Sequence, residues 1–226
     1  PNLLSYTRFV ERMPRVAIPL LLFLKLGLMG ECTGITFIDS TRIPVCDNKR
    51  QSRNRVFKGY AQKGKSTMGW YYGFKLHLLC NERGELLNFA LTRANVDDRN
   101  PKVFNDLTKD LFGKLYADKG YISQSLFASL FDRGVHIVTG IRTNMKNRLM
   151  DVHDKIMLRK RSIIETINDM LKNVAQIVHT RHRSISNFIV NLLAGIAAYA
   201  FYDTKPSINM EFERDAKQGV KQLTLF

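Results

Sequence analysis

Three acidic residues, Asp39, Asp118 and Glu165, have the types and positions expected of ligands for divalent metal ions. Asp39 ends the apolar run 35–39, and Asp118 ends a second run, 114–118. The branched and aromatic residues of both runs predict buried strands. A carboxylate at the end of a buried strand is costly unless a cation meets it. Two divalent ions about 3.5–4 Å apart can activate the nucleophile and stabilise the leaving oxygen of a phosphodiester.

Glu165 lies in a basic stretch with helical periodicity. At about 100° per residue, the apolar residues that should pack on the sheet share one face: Ile163, Ile167, Met170, Val174 and Ile177. A polar stripe lies opposite that face and comprises Arg161, Glu165, Asn168 and Lys172. One interpretation is a solvated face with i,i+4 ion pairs. The other is a catalytic carboxylate flanked by cations that contact phosphates, and the two strand-end aspartates favour it.

The charge of the chain indicates a polyanionic partner. The chain has 35 Lys and Arg against 20 Asp and Glu, a net charge of +15, which favours a nucleic acid or an anionic membrane surface. The apolar runs 16–29 and 188–202 contain polar residues and fall short of the roughly 20 residues that cross a bilayer. Both runs predict buried helices, so no membrane partner is expected. Together with the three carboxylates, the charge predicts DNA.

Residues 43–68 predict a long polar loop in which Asp47 alone opposes the basic residues. Its candidate DNA contacts are Lys49, Arg50, Arg53, Arg55 and Lys58, followed by Lys63 and Lys65. We expect a DNA-contacting insertion beside the Asp39 strand end, which would give salt-dependent affinity. A disordered charged loop is the alternative. Lys75 and Lys119 are further candidate DNA contacts.

Aromatic and histidine residues between 70 and 98 allow two interpretations each. Trp70, Tyr71 and Tyr72 could stack on an unpaired base, although packing within the sheet is favoured. His77 shares a strand face with Lys75 by alternation; it acts near the metals or is structural, and the structural role is favoured.

Two further sets of residues have alternative roles. Asp98 is either a fourth acid near the site or, like Asp97, the N-cap of a helix. His179 and His182 lie three residues apart at a helix end, but no third ligand accompanies them, so zinc is not favoured. Two alternatives remain for both histidines: contact with a phosphate, or no functional role at the C-terminus of a helix. The cysteines, Cys32, Cys46 and Cys80, are too scattered for a disulfide framework and favour reduced thiols in the cytoplasm.

The order of predicted elements indicates an α/β fold. Five strands are predicted near 35–39, 71–80, 86–92, 114–118 and 135–141, and helices near 99–112, 123–133, 156–179 and 185–202. The first three strands can pair as a meander, whereas the later ones need helical crossovers and should run parallel. We expect a mixed five-stranded sheet flanked by helices, with Asp39 and Asp118 at strand carboxyl ends, where ligands bind in such sheets. A helical segment, 1–33, with breaks at Pro14 and Pro19, precedes the domain 34–205, and a polar tail, 206–226, follows it.

Several segments of the chain resemble the DDE transposases of bacterial insertion sequences, most closely the IS982 family. They are residues 34–41, 57–59, 68–70, 73–78, 95–99, 118–121 and the run from Arg159 through Arg183 to Asn191. Arg161, Glu165 and Lys172 match the pattern Tyr-x2-Arg-x3-Glu-x6-Lys of related families, although Leu158 replaces the tyrosine. The resemblance implies an RNase H-like catalytic core in which Asp39, Asp118 and Glu165 bind two Mg²⁺ ions, with Mn²⁺ able to substitute.

The resemblance also implies an activity and partners. We expect the protein to nick DNA at the terminal repeats of an element and join the 3′ ends to target DNA, as a homodimer in the bacterial cytoplasm at the nucleoid. An RNase H-like nuclease without strand transfer is one alternative. The chain begins at Pro1 rather than Met, so a truncated, inactive remnant that binds DNA through its basic surface is the other.

Overall fold

The computed structural model describes residues 3–141, 149–178 and 182–208. Within these ranges the strands are β1 (Ile35–Cys46), β2 (Gln62–Ser66), β3 (Gly69–Asn81), β4 (Leu86–Arg93), β5 (Gly113–Ala117) and β6 (Val135–Thr139). The α-helices are α1 (Tyr6–Arg12), α2 (Ala17–Phe23), α3 (Pro101–Leu107), α4 (Gln124–Phe131), α5 (Val152–Lys160), α6 (Ser162–Asp169) and α7 (Ile185–Ala200). The basic loop 142–148, His179 and the tail from 209 lie outside the described residues.

The strands form one mixed sheet in the order β2-β3-β1-β5-β6, and β4 also pairs with β3. β2 and β4 lie end to end along one edge of β3, opposite residues 69–73 and 74–80 respectively. β1 is antiparallel to β3 and parallel to β5, which is parallel to β6. The predicted α/β class with a mixed sheet flanked by helices is therefore confirmed, with one strand more than the five expected.

The additional strand comes from the segment that we predicted to be a polar loop. β1 runs on to Cys46, a 3₁₀-helix covers Asn48–Arg53, and Gln62–Ser66 is β2. The β2 sequence, Gln-Lys-Gly-Lys-Ser, lacks the branched and aromatic residues that mark strands. It is a strand because it pairs with β3 in a hairpin. Pairing partners outweigh local composition here, so the loop prediction was wrong for both strand segments.

Helices cover both faces of the sheet because strand side chains alternate between the faces. One face carries Phe37 and Tyr116 and packs against α6 and α7, including Ile164 and Phe188. The other face carries Ile38, Leu79 and Leu115 and packs against α3 and α4. The Tyr199 hydroxyl in α7 donates to the Gly84 carbonyl at 2.7 Å, which ties that helix to the β3–β4 turn.

The predicted long helix from 156 is divided. Arg161 separates α5 from α6, and α6 continues into a π-helical turn, Met170–Val174. A π-turn adds a residue to the turn and shifts the following positions around the axis. Ile163, Ile167 and Ile177 are buried as predicted, but Val174 is 62% exposed and Leu171 is buried instead.

Two helix starts also differ from the prediction. Pro19 does not break its helix, since it lies in the first turn of α2, where backbone N–H groups have no intrahelical partner. Pro14 lies in a 3₁₀-turn, Met13–Val16. The N-cap of α3 is Asn100, whose side chain accepts from the Lys102 and Val103 N–H groups, so the Asp97 or Asp98 cap was wrong.

No helix within the described ranges has the length and apolar character to span a membrane.

Candidate active site

The register of two parallel strands brings Asp39 and Asp118 side by side. Phe37 pairs with Tyr116 across β1 and β5, so residues two positions further along each strand stand at the same level. Asp118 directly follows β5 and begins a 3₁₀-turn in which the Tyr121 N–H donates to its carbonyl at 3.0 Å. The Asp118 side chain is exposed. The predicted strand-end position of Asp118 is confirmed.

Asp39 occupies a different position from the one predicted. It is not the last residue of its strand, because β1 continues beside β3 to Cys46. It lies instead where β1 loses β5 as a neighbour, since β5 ends at Ala117. That edge leaves the Asp39 side chain 24% exposed. The Asp39 side chain is therefore accessible to solvent because β5 ends beside it, even though β1 itself continues.

Two residues of the α5–α6 region contact the Asp39 carboxylate. The Asn168 amide donates to Asp39 Oδ2 at 3.0 Å, and an Arg161 guanidinium nitrogen lies 3.8 Å from Oδ1. Burial raises the pKa of Asp39 to about 6, opposed by the Arg161 charge and the Ser40 backbone N–H. The carboxylates of Glu165 and Asp118 raise this pKa further. The three acids therefore lie near enough to affect one another's charge.

Arg161 bridges two of the three acids. It donates to Glu165 Oε1 at 2.7 Å, an i,i+4 pair within helical geometry, while approaching Asp39. Asn168 is 5% exposed, so the stripe that we predicted to lie opposite the core instead points partly at the sheet. We call Asp39, Asp118, Glu165, Arg161 and Asn168 the carboxylate site.

The carboxylate site has the donors that a hard cation requires, but not in a closed arrangement. Carboxylate and amide oxygens are the ligands that Mg²⁺ prefers. The buried Asn168 Oδ1 accepts no hydrogen bond from any described residue. Over the same residues, no three His, Cys, Asp or Glu side chains are grouped closely enough to hold an ion together. The donor chemistry therefore fits a divalent ion, provided that the Arg161 bridge opens.

One more cation, Lys172, lies near Asp39, and another, Arg42, lies near Lys172. Lys172 is partly buried, and burial and the Arg42 charge lower its pKa while the Asp39 carboxylate opposes that shift. Lys172 was predicted to flank the site, whereas Arg42 was missed. Arg42 lies on β1 opposite Lys75. The predicted strand ends at Asp39, although the alternating residues Thr41, Ile43 and Val45 indicate that the strand continues.

Lys75, His77 and Asp98 form a separate cluster on the opposite sheet face from Asp39, because Lys75 and His77 pair with Arg42 and Ser40. The Lys75 ammonium donates to Asp98 Oδ1 at 3.0 Å and to the Val96 carbonyl at 2.7 Å. His77 is 1% exposed and its Nε2 lies 2.9 Å from the Thr92 hydroxyl. Burial lowers the pKa of His77 to about 4, so the ring is neutral at pH 7. This geometry favours the structural role of His77.

Residues 48–58, the basic segment, are folded and distant from Asp39. The exposed side chains are Lys49, Arg50, Arg53, Arg55 and Lys58. Phe57, 1% exposed, anchors the segment, and its carbonyl accepts from the Tyr72 hydroxyl at 3.1 Å. Cys46 lies seven positions after Asp39 along β1, about 23 Å at about 3.3 Å per residue. The expected position beside Asp39 was wrong because β1 is longer than predicted. Lys119, next to Asp118, is exposed.

The aromatic run divides into buried and exposed members. Tyr71 and Tyr72 are buried, which confirms packing within the sheet for both. Trp70 is 54% exposed. The Nζ atoms of Lys63 and Lys65 lie 5.1 and 5.9 Å from its ring centroid. The sheet therefore accounts for the two tyrosines but not for the position of Trp70.

The fold is similar to that of a solved transposase structure. A piggyBac transposase synaptic complex with hairpin DNA superposes with a TM-score of 0.50 at 12% identity, over 96% of this chain and 61% of that one. The chain thus spans about 61% of the length of that transposase. The Mos1 strand transfer complex gives a TM-score of 0.28 at 9% identity, over 89% of this chain and 64% of that one. Among curated proteins, none matches this chain in sequence.

The class of fold is therefore that of transposase catalytic domains, a mixed sheet flanked by helices. Residues 29–185 match the family model described as the transposase DDE domain. That match covers more than half of the 226 residues. The chain belongs to the transposase DDE domain family.

Proposed function

We propose that this chain is the catalytic domain of an insertion-sequence transposase, of the IS982 type, that cleaves DNA at element ends and joins the 3′ ends to target DNA. The observation that carries the proposal is the β1–β5 register, which sets Asp39 and Asp118 side by side. Arg161 links that strand pair to Glu165. Mg²⁺, or Mn²⁺ in its place, is the proposed cofactor, with two ions held by Asp39, Asp118 and Glu165.

The residues of the carboxylate site have separable roles in this chemistry. When bound, divalent ions would activate the attacking hydroxyl or water and stabilise the leaving oxygen. Asp39 must be ionised to act as a ligand, which its pKa of about 6 permits at pH 7 and above. Asn168 holds Asp39 in place through its amide hydrogen bond. Its buried Oδ1 has no hydrogen-bond partner among the described residues and is one more oxygen ligand type beside Asp39.

Arg161 has two proposed roles, one toward the carboxylates of the site and one toward the DNA backbone. In this structure its guanidinium neutralises Asp39 and Glu165. Its guanidinium has planar donors suited to a phosphate, so Arg161 would also contact the DNA backbone beside these carboxylates. Lys172, with its lowered pKa, would be the second cation beside the bound DNA. Arg161 thus holds Glu165 close to Asp39.

DNA as the partner follows from charge and from similarity. The net charge of +15 far exceeds what solubility requires. The similar piggyBac structure is a synaptic complex with DNA. We propose the element's terminal repeats and target DNA as partners, and a homodimer because two element ends must be held together. The proposed location is the bacterial nucleoid, in the cytoplasm.

The test uses labelled DNA that carries the ends of the element from which the sequence comes. Wild-type protein with Mg²⁺ or Mn²⁺ should give joined products. Nicks without joining would indicate a nuclease. DNA binding without any metal-dependent product would indicate a non-catalytic DNA-binding protein, and either result would overturn the transposase proposal.

Asp118→Asn in the same assay should remove joined and nicked products while DNA binding persists. Because the Asp118 side chain is exposed, its replacement should not impair folding. A folding defect would therefore not explain the loss of products. Asp110→Asn is the matched control, because Asp110 is 80% exposed and lies before β5 rather than after it. Normal cleavage by Asp118→Asn would show that the carboxylate assignment is wrong.

A further inference from the structure

The hairpin of β2 and β3 carries an exposed aromatic ring between two cations. Lys65 pairs directly with Trp70, and Lys63 pairs with Tyr72, so both lysines and Trp70 share one face of the hairpin. The Trp70 ring is 54% exposed. At the turn, Met68 is 75% exposed. We call residues 62–72 the Trp70 hairpin.

The charges of the Trp70 hairpin are not cancelled by the nearest acids. Asp97 is paired with Arg99 at 2.8 Å, and Asp98 is paired with Lys75 at 3.0 Å. Lys63 and Lys65 are exposed. A ring with cations beside it and an open face is the arrangement that binds a base together with its phosphates.

An open cavity of about 580 Å³ extends from this ring past Lys75 and Asp98 to Gly120. Its lining includes Lys63, Lys65, Trp70, Arg99 and Gly120. Gly120 lies two residues after Asp118, so one end of the cavity reaches the turn that follows that acid. The volume is within the range of small-ligand sites, about 300–1,000 Å³. A strand passing Asp118 could therefore extend along this cavity to Trp70.

The wall of the cavity is close-packed. A Cβ at Gly64 would lie 2.3 Å from the Ala94 carbonyl oxygen, so only glycine allows β2 to approach the segment after β4 so closely. The Ala94 N–H also donates to the Gly73 carbonyl at 3.2 Å. These contacts hold the hairpin against residues 94–99. The Trp70 ring is thereby presented at a fixed place on the surface.

We infer that the Trp70 hairpin binds an unpaired base of the DNA strand that passes the carboxylate site, with Trp70 stacking on the base and Lys63 and Lys65 contacting its flanking phosphates. The inference rests on the proposed function, because it takes DNA as the substrate. Single-stranded DNA is the occupant because stacking needs an exposed base face, which paired DNA does not offer. Every base has such a face, so the site has little sequence preference.

Trp70 is the sole tryptophan of the chain, so its fluorescence reports on this site directly. Wild-type protein in EDTA is titrated with a single strand of about 12 nucleotides, within known binding-site sizes, and with a duplex of equal length. The single strand should quench the fluorescence strongly and the duplex weakly. Absence of quenching by the single strand at saturation, measured by anisotropy of a labelled strand, would overturn the inference.

Variants separate stacking from charge. Trp70→Ala should weaken single-strand binding about tenfold, the scale expected for loss of one stacked base, and Trp70→Phe should restore part of it. Lys63→Gln with Lys65→Gln should reduce the salt dependence of binding. Phe131→Ala is the control, because Phe131 is 60% exposed on α4 and should leave binding unchanged. Unchanged binding by Trp70→Ala would refute stacking.

These measurements distinguish failure of the proposed transposase function from failure of the proposed base-binding site. Because EDTA prevents metal-dependent chemistry, quenching does not depend on cleavage. Quenching without any cleavage product in metal would overturn the proposed function and leave the base site intact. Cleavage and joining without quenching would overturn the base site alone.

Discussion

The carboxylate site and the basic segment are built in opposite ways. Two of the three acids of the carboxylate site are held by partners, since Asn168 and Arg161 contact Asp39 and Arg161 pairs with Glu165. The cations of the basic segment are exposed on a short 3₁₀-helix and the residues after it. The difference is physical: chemistry needs groups fixed in place, whereas attraction to a polyanion needs only charge near the surface.

The two regions are also far apart along β1. Asp39 lies where β5 ends, and the basic segment follows Cys46 at the other end of the strand. Substitutions can therefore separate catalysis from affinity. If the comparison is correct, changes in the carboxylate site alter the rate of DNA cleavage and the stability of the fold. Changes in the basic segment alter the affinity and its salt dependence.

The largest effect is expected from Asp39→Asn. We expect at least about a thousandfold loss of metal-dependent cleavage, because a neutral amide is a weaker ligand for divalent ions. The same change should stabilise the metal-free protein by about 1–3 kcal/mol at pH 8, since the raised pKa of Asp39 means that its ionised form destabilises the fold. Cleavage rates and urea unfolding in EDTA measure the two effects.

The pH dependence of that stability difference tests its cause. The pKa of Asp39 is about 6 in the folded protein against 3.8 ordinarily, so the cost is complete above about pH 6. It falls as the pH drops below 6 and disappears below pH 3.8, where Asp39 is protonated in both the folded and the unfolded states. Asp132→Asn, at the exposed C-cap of α4, is the matched control. A stability gain for Asp39→Asn that is constant from pH 4 to 8 would contradict the assignment.

A smaller effect, on affinity alone, is expected for the basic segment. Combined Lys49→Gln, Arg50→Gln and Arg53→Gln should weaken DNA binding and lower the slope of log K against log salt by up to about 3, because each phosphate contact contributes about 0.9. Cleavage at saturating DNA should be unchanged. Lys102→Gln with Lys109→Gln, on the exposed surface near α3, is the matched control. An unchanged salt slope in the triple variant would remove the basic segment from the DNA-binding surface.

The smallest effect on catalysis is expected for His77→Leu. Loss of the bond to Thr92 should cost about 1–3 kcal/mol of unfolding free energy, because a partly buried hydroxyl loses its partner. Cleavage at saturating DNA should stay within about threefold of wild type, and unfolding curves with initial rates measure both. Adding Thr92→Val should recover part of the stability. A large loss of cleavage with normal stability would instead place His77 in the chemistry.

Local pattern was sufficient for most of the sheet. The β3–β4 hairpin, β5 and β6 were predicted close to their observed bounds, because their apolar residues alternate or run together between turn residues. β2 was missed because Gln-Lys-Gly-Lys-Ser has no such pattern. The end of β1 was also missed, since the predicted strand ends at Asp39 and the predicted loop covers 43–68, whereas β1 runs to Cys46. The site prediction inherited that error in the position of the basic segment.

The sequence by itself determined the acids, their spacing and the excess of positive charge, because these are properties of residue type and order. Only the tertiary structure decided that Asn168 bonds to Asp39, 129 residues away, and that Arg161 stands between Asp39 and Glu165. It also decided that Trp70 is exposed while Tyr71 and Tyr72 are buried. Such contacts depend on strand register and on the break between α5 and α6, which arise from packing between segments far apart in the chain.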